Sequence, residues 1–562
     1  MPPARQRRQR RRRAMIAVVA ATATTAALAA HPAAPARAAE PALPPTVTAG
    51  AMPTPQTDGI VFTVAIVGDV VYAGGRFTRA RPAGAAPGGP GEVPRTNLMA
   101  FDVRTGELLP WAPAVSGSVF TSATDPGPFC RQVGTQQYVC DTVFRIEAAP
   151  DRRTIYVGGD FDKIDGQWRS RIAAFDAVTG VLDTGFRPRV AGRVRGISVT
   201  ADTVYLGGGF RSVDGVARGR LAAVGRDGTL RPWAPTADGE VFAVLAAPEH
   251  GRVLLGGAFR TVNGEARSAM MAVDATGGAN VPWQARVPEG REVVTDIATD
   301  GEGTAYFGAY HTAGGGPRFE GRAAIAIADG TPRWWDGCYG DTQSVAVAGG
   351  VVYAASHTHD CSAIGAAPEN GPIDYYRLTA ETAAAVRTAP ATVNHVRAGD
   401  PIPEFLPWFP GTNSGPADSH FKNGPWAVDA DGRYVVVGGE FTTVNGRPQQ
   451  GLVRFAVRGV PGAVNKGPQT PFRAPTLSRE NGTTGSPVIR WTTTWDGQNS
   501  EIRYEVMRVG RSTPLHAVEA RSRPWELPQL SYVDREVDSG TYWIRAVDAD
   551  GERIGSPQAS IG

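Results

Sequence analysis

The chain has 562 residues, of which 42% are hydrophobic and 20% charged. That composition excludes a disordered chain, and the length exceeds one ordinary core, so at least two domains are expected. The formal charge of +3 is set by the first 38 residues, which carry eight arginines and no acid; without them 49 basic residues face 54 acidic ones, a net −5, which excludes a nucleic-acid binder that works by general charge.

Those first residues read as an export signal. Seven arginines lie between Arg5 and Arg13, an Ala/Thr-rich apolar run follows over Ala14–Ala30, and "ARA" at Ala36–Ala38 offers a small-x-small cleavage site. No later stretch is apolar enough to span a membrane. Export fits the four cysteines, which fall into two local pairs, Cys130/Cys140 and Cys338/Cys361, read as disulfides.

From residue 60 a unit repeats. "VYAGGRF" (Val71–Phe77), "IYVGGDF" (Ile155–Phe161), "VYLGGGF" (Val204–Phe210), "VLLGGAF" (Val253–Phe259) and "VVVGGEF" (Val435–Phe441) are five copies. "AYFGAYH" (Ala305–His311) and "VYAASHT" (Val352–Thr358) are two degenerate ones. An apolar strand precedes each Gly-Gly strand. An Asp-Gly or Asn-Gly turn follows in several copies (Asp165-Gly166, Asp214-Gly215, Asn263-Gly264, Asn445-Gly446), a dipeptide that accepts positive φ and closes hairpins. A third strand and a short fourth one ending in Pro-Trp complete the unit, as at Trp111, Trp233, Trp283 and Trp408. Four short strands at a period near 50 predict a propeller blade, and seven copies predict seven blades, with six or eight as the alternatives. The last copy lacks its fourth strand, and residues 46–55 are expected to supply it. Arg95, Arg169, Arg218 and Arg267 recur at one register and read as structural pairing between blades.

These motifs resemble the glycine-rich β-propeller repeats of secreted actinobacterial proteins, over about residues 50–460, with kelch repeats as the neighbouring family. After a Pro/Gly-rich linker (461–471), "VIRWTTTW" (Val488–Trp495), "IRYEVMRV" (Ile502–Val509) and "SGTYWIRAVDADG" (Ser539–Gly551) resemble a fibronectin type III domain over 472–562. That resemblance implies Trp491 in an inter-sheet core and Tyr542 at a tyrosine corner. The expected organisation is therefore all-β: signal peptide 1–38, seven-bladed propeller 39–460, linker, and a fibronectin-like sandwich.

Chemistry concentrates in the copies that depart from the repeat. Five of eight histidines fall between His311 and His420, and "SHTHDCS" (Ser356–Ser362) replaces the Gly-Gly-x-Phe motif. His311, Asp341, His357, His359, Asp360 and His420 are the candidate ligands; neutral imidazoles beside carboxylates suit a transition metal. The other reading is a loop stapled by Cys338–Cys361. "DADG" at Asp429–Gly432 and at Asp548–Gly551 has the wrong spacing for a calcium loop and reads as hairpin turns. The expected function is binding of an extracellular ligand, glycan or protein by a monomer. The alternative is an extracellular enzyme, either a copper-radical oxidase of the kelch type, which needs a cysteine to cross-link a tyrosine, or a quinoprotein-like dehydrogenase. N-terminal sequencing of exported protein should read from about Ala39; an uncleaved product confined to the cytoplasm would refute the export signal.

Overall fold

The computed structural model describes residues 43–287, 291–312 and 319–562, so the predicted export segment and cleavage site lie outside the described residues. The described chain is β-structure apart from two single-turn 3₁₀ segments, Pro248–His250 and Ser362–Ile364. Among these residues no helix is long and apolar enough to cross a membrane.

Among the described residues, seven antiparallel sheets share one plan: two strands joined by a short connection, then a third strand beside the second. Among the same residues, the expected fourth strand is a full strand only in sheet 5, at Pro332–Trp335; in other repeats it shrinks to a single bridge, as at Phe101–Leu108 and Phe175–Leu182. Sheet 1 is Ile60–Val67, Val70–Arg76 and Leu98–Asp102. Sheet 2 begins at Thr142–Ala148, sheet 3 at Val194–Val199, sheet 4 at Val241–Ala247, sheet 5 at Glu292–Thr299, sheet 6 at Thr342–Ala348 and sheet 7 at Pro425–Ala430. Each first strand packs on that of the following sheet, and the first strand of sheet 7 packs on that of sheet 1, so the sheets form a ring with the first strands innermost.

The Gly-Gly pairs make this packing possible. A Cβ on the first glycine would strike the next sheet: Gly74 against Val143 at 2.5 Å, Gly158 against Val194 at 2.8 Å, Gly207 against Val241 at 2.6 Å, Gly256 against Val294 at 2.5 Å and Gly438 against Val61 at 2.6 Å. Gly308 meets Thr342 in the same way. A Cβ on the second glycine would strike the first strand of its own sheet, as Gly75 does at the Ile60 carbonyl and Gly257 at that of Glu240. There the first strand carries a bulge in all seven sheets, between Val61 and Thr63, Val143 and Arg145, Val194 and Gly196, Val241 and Ala243, Val294 and Asp296, Thr342 and Ser344, and Pro425 and Ala427.

Outer positions bind each sheet to its neighbour. Trp111 donates Nε1–H to the Gly180 carbonyl at 2.9 Å, Trp233 to that of Asp274 at 2.9 Å, and Trp334 to that of Ala383 at 2.8 Å. Each of these indoles also lies near a tyrosine of its own sheet, Tyr72, Tyr205 or Tyr306. The Asp/Asn-Gly turns adopt positive φ as expected, for example 49° at Asp165 and 77° at Gly166. Their side chains accept backbone N–H groups from the preceding repeat: Ala114 to Asp165, Arg189 to Asp214, Thr236 to Asn263 and Gly411 to Asn445. The recurring arginines work within one repeat rather than between repeats. Arg95, Arg169 and Arg218 each donate to a carbonyl of their own outer segment, at Leu109, Asp183 and Arg231.

The N-terminal segment supplies the outer edge of sheet 7. Met52 pairs with Arg454 as an antiparallel bridge, and Thr48 donates its backbone N–H to Ala456 at 2.9 Å. Trp408 of repeat 6 then donates to the Thr48 carbonyl at 3.3 Å, where the other outer tryptophans meet the next sheet.

The C-terminal residues form two further antiparallel sheets around one core. Thr476–Arg479, Pro487–Thr492 and Gln529–Val533 make one; Glu501–Arg508, His516–Arg521, Gly540–Val547, Arg553–Gly555 and Ala559–Ile561 make the other. Trp491 and Tyr542 are buried in that core, and the Tyr542 hydroxyl donates to Asp534 at 2.8 Å. This unit lies against repeat 6. The Trp525 ring meets Tyr376, Phe405 and Phe409 at 5.6–5.7 Å, and Glu404 accepts from Arg387, Arg521 and Arg523. The stretch read as a linker is pinned as well: Val464 bridges Gly50, Pro468 bridges Asp496, and Lys466 donates Nζ–H to the Phe409 carbonyl at 2.7 Å. Residues 43–562 make one compact unit.

The glycine packing gives a direct test. Gly207→Val should cost about 3 kcal/mol by overpacking, read from denaturant unfolding. Gly411→Ala, whose Cβ would meet nothing within 4 Å, should stay within about 0.5 kcal/mol. Equal effects would refute the role assigned to the first glycine.

Candidate functional site

The ring encloses a cavity of about 1200 Å³, walled by the first strands of all seven sheets. A bulge turns one extra side chain out of the ladder, and in every sheet that side chain lines the cavity: Phe62, Phe144, Arg195, Phe242, Thr295, Gln343 and Trp426. The apolar residues fall on consecutive sheets, 7, 1 and 2, and again on sheet 4. Thr295 and Gln343 of sheets 5 and 6 form a polar arc. Asp341, two residues before Gln343, and Tyr310 line the same cavity.

The two insertions that break the 50-residue period meet over this cavity. The first carries a small three-stranded sheet (Phe120–Thr121, Cys130–Gly134, Gln137–Cys140) closed by the Cys130–Cys140 disulfide. It delivers Phe129. The segment before sheet 7 delivers His420, Phe421 and Asn423. Phe129 and Phe421 stack at 5.3 Å with 29° between their planes, and both lie near Phe62, at 5.7 and 6.0 Å. Trp426 packs on Phe62 at 5.2 Å and on Phe421 at 5.1 Å.

Deeper in the cavity an ion pair crosses the ring. Arg145 of sheet 2 donates to Asp296 of sheet 5 at 2.8 Å and to Glu147 at 3.1 Å. Asp296 also accepts from the Ser344 hydroxyl at 2.7 Å. Burial opposes charge on Arg145, but Asp296 and Glu147 outweigh it and hold the guanidinium above its ordinary value. Asp429 accepts the Ile66 N–H at 2.7 Å, yet burial pushes its carboxyl up to about 7. Burial likewise raises Glu147, against the pull of Arg145.

The residues singled out by sequence are divided by the structure. Asp341 and His420 line the cavity. His357 ends the second strand of sheet 6 and backs Asp341: its Nε2 accepts the Asp341 backbone N–H at 3.3 Å and lies 4.0 Å from the carboxylate. His359 turns to Glu369, 2.6 Å away, and Tyr375 packs edge-on to both imidazoles at 5.9 Å. Asp360 accepts the Ser362 N–H at 2.8 Å, and its backbone bridges Tyr339. His311 ends the second strand of sheet 5, its backbone paired with Glu292. Among the described residues, the groups of three or more donors within 4.8 Å of one another are Cys130/Cys140/Asp160 and Cys338/Cys361/Glu381, and each contains a disulfide. The candidate histidines and aspartates thus do not converge on one point. "SHTHDCS" is a strand end stapled by Cys338–Cys361, with Arg322, Asp336 and Glu381 forming a fully buried ion cluster beside the sulfur.

Asp429, read from sequence as part of a hairpin turn, instead lies in the first strand of sheet 7. The bulge residues were missed by sequence reading. Their signal is a Val-x-y-Val/Ile frame in the first strands, where the flanks stay apolar and the x position changes chemistry from copy to copy, as in "VFTV", "VFRI", "VRGI", "VFAV" and "VTDI".

His357 gives a pH test. Burial outweighs the pull of Glu320 and lowers its pKa to about 4 from 6.5. The unfolded chain therefore takes up the proton first. The stability tied to His357 is complete above about pH 6.5 and is lost as pH falls through 4. His357→Gln should flatten the decline in unfolding midpoint over that window; an unchanged slope would refute the assignment.

A family model described as "Domain of unknown function (DUF5122) beta-propeller" matches residues 153–186 and 430–459, in sheets 2 and 7. No curated protein sequence matches the chain. Two solved structures from B. thetaiotaomicron align at low similarity. One, named as the extracellular domain of a one component system, is 10% identical with a TM-score of 0.38, over 91% of this chain and 54% of that one. The other, named as the extracellular domain of a hybrid two component system, is 9% identical with a TM-score of 0.14, over 89% and 85%. The chain thus spans about half the length of the first of these structures. The chain carries an all-β, β-propeller fold with two disulfide bonds.

Proposed function

We propose that this protein is an exported, seven-bladed β-propeller that binds a small extracellular saccharide in its central cavity, with a fibronectin type III-like domain docked on the sixth blade. The ring of seven sheets and the N-terminal edge segment support the blade count. The two-sheet core around Trp491 and Tyr542 supports the second domain. Both disulfides and the Arg-rich, apolar N-terminus support export.

The observation that carries the binding reading is the ring of bulge residues. It sets an aromatic arc (Trp426, Phe62, Phe144) against a polar arc (Thr295, Gln343) on one cavity wall. A pyranose has the matching character. Its C–H face is apolar and buries against aromatic rings, while its hydroxyls need donors and acceptors such as Gln343 and Asp341. A cavity of about 1200 Å³ has room for a short oligosaccharide. The copper-radical reading needs a cysteine to cross-link a tyrosine, and all four cysteines are in disulfides.

Calorimetry of the mature protein against a panel of neutral and acidic oligosaccharides should find a binder. Trp426→Ala and Phe62→Ala should each weaken it by about tenfold or more, as truncation of a buried aromatic anchor does. A panel without a binder, or a binder indifferent to both variants, would overturn the proposal.

A further inference from the structure

We propose that the ligand carries an acid group and that Arg195 reads it. This inference rests on the cavity being the saccharide site and adds the class of saccharide. Arg195 is the one cation among the bulge residues. Its guanidinium lies over Phe144 and Phe242 at 4.4 Å each and over Phe129 at 5.1 Å. Two of those rings sit at the bulge positions of the flanking sheets, and the third comes from the first insertion. Three parts of the chain therefore hold one planar cation in place.

Aromatic rings thus surround the guanidinium without supplying a hydrogen-bond acceptor. Among the described residues, the Arg195 side chain makes no hydrogen bond and no ion pair. Arg145, deeper in the same cavity, is by contrast saturated by Asp296 and Glu147. Glu240 shares the wall with Arg195, but its carboxylate lies 3.9 Å from Arg193. Burial lowers Arg195 from its ordinary value, and the pull of Glu240 offsets this in part. Arg195 is half-buried on the cavity wall, so its unused donors face the cavity, and cation–π contact compensates only a fraction of the hydrogen bonds it leaves unmade.

An oxyanion supplies what is missing. The guanidinium presents planar N–H pairs that match a carboxylate or a sulfate. Glu240 and Asp341 on the same wall accept hydroxyls and repel a second acid group. The fitting ligand is an acidic saccharide with one oxyanion at Arg195 and its ring on the aromatic arc. The oxyanion could be the carboxylate of a uronic acid or a sulfate ester.

Three probes of equal length distinguish the sources: a trisaccharide carrying a single galacturonate residue, its methyl ester, and a galactotriose carrying a single sulfate. Calorimetry on the mature protein should show at least one acidic probe binding about 10- to 100-fold more tightly than the neutral ester, the gain expected of charge-assisted hydrogen bonds. Arg195→Met should erase that preference, and Arg195→Lys should keep only part of it, because a lysine neither stacks nor bonds bidentately. Binding of the sulfated probe alone supports the inference and assigns sulfate; binding of the mono-galacturonate probe alone supports it and assigns the carboxylate. The ester comparison on unmodified protein needs no variant to fold. Equal binding of ester and acids, or an acid preference that survives in Arg195→Met, would overturn the inference. If neutral sugars bind in a Trp426-dependent way without an acid preference, only the role of Arg195 falls. If no probe and no neutral sugar binds, the saccharide site falls with it.

Discussion

The fold depends on the distance between neighbouring sheets at the Gly-Gly positions. With 2.5–2.8 Å from a hypothetical Cβ to a valine methyl of the next sheet, no side chain fits at Gly74, Gly158, Gly207, Gly256 or Gly438. The ring closes only if every such contact is short, because a gap at one interface must be shared among the others. The departure at repeat 6 obeys the same rule at its limit: Ala355 takes the first position and Ser356 the second, and both are buried. The interlocks farther out, indole to carbonyl and Asp/Asn to N–H, join sheets whose spacing the glycines have already set.

The functional surface arises opposite the same two positions. Opposite these positions the first-strand ladder slips by one residue in all seven sheets, also where Gly308-Ala309 and Ala355-Ser356 replace the pair, and the slipped residue turns into the cavity. A repeat that is otherwise under strong packing constraint thereby gains one position per sheet that can vary without touching the core. Seven such positions make a wall whose chemistry changes around the ring, aromatic on one side and polar on the other. The insertions extend this wall with Phe129 and Phe421, and the Arg145–Asp296 pair crosses it deeper down.

Repeat 6 has a different task. Its departures from the pattern, the Cys338–Cys361 disulfide and the apolar cluster of Ile364, Phe405 and Phe409, form the ground on which Trp495 and Trp525 of the C-terminal unit rest. The histidines that mark this repeat in the sequence serve the local structure in part: His359 is tied to Glu369, while His357 holds the backbone of Asp341 at the edge of the cavity. A loop that looks chemically rich is here chiefly a brace, with one contact that reaches the site.

Much of this was legible in the chain itself. The strand pattern, the Asp/Asn-Gly turns, the period near 50, the two cysteine pairs and the edge segment that completes sheet 7 all follow from local rules. Hairpin chemistry and strand alternation act over a few residues, so they are written in neighbouring positions. The site was not legible in the same way. Phe62, Phe144, Arg195, Phe242 and Trp426 are far apart in sequence and sit in strands whose Val/Ile frame reads as ordinary core. They meet only because a bulge reverses the side on which each one points. His357, His359 and Asp360 are clustered in sequence, yet His357 turns to the Asp341 backbone, His359 to Glu369 and Asp360 to the Ser362 N–H. Sequence determined the repeating unit; ring closure decided which residue of each unit faces the ligand, because that choice depends on the approach of backbones from different repeats.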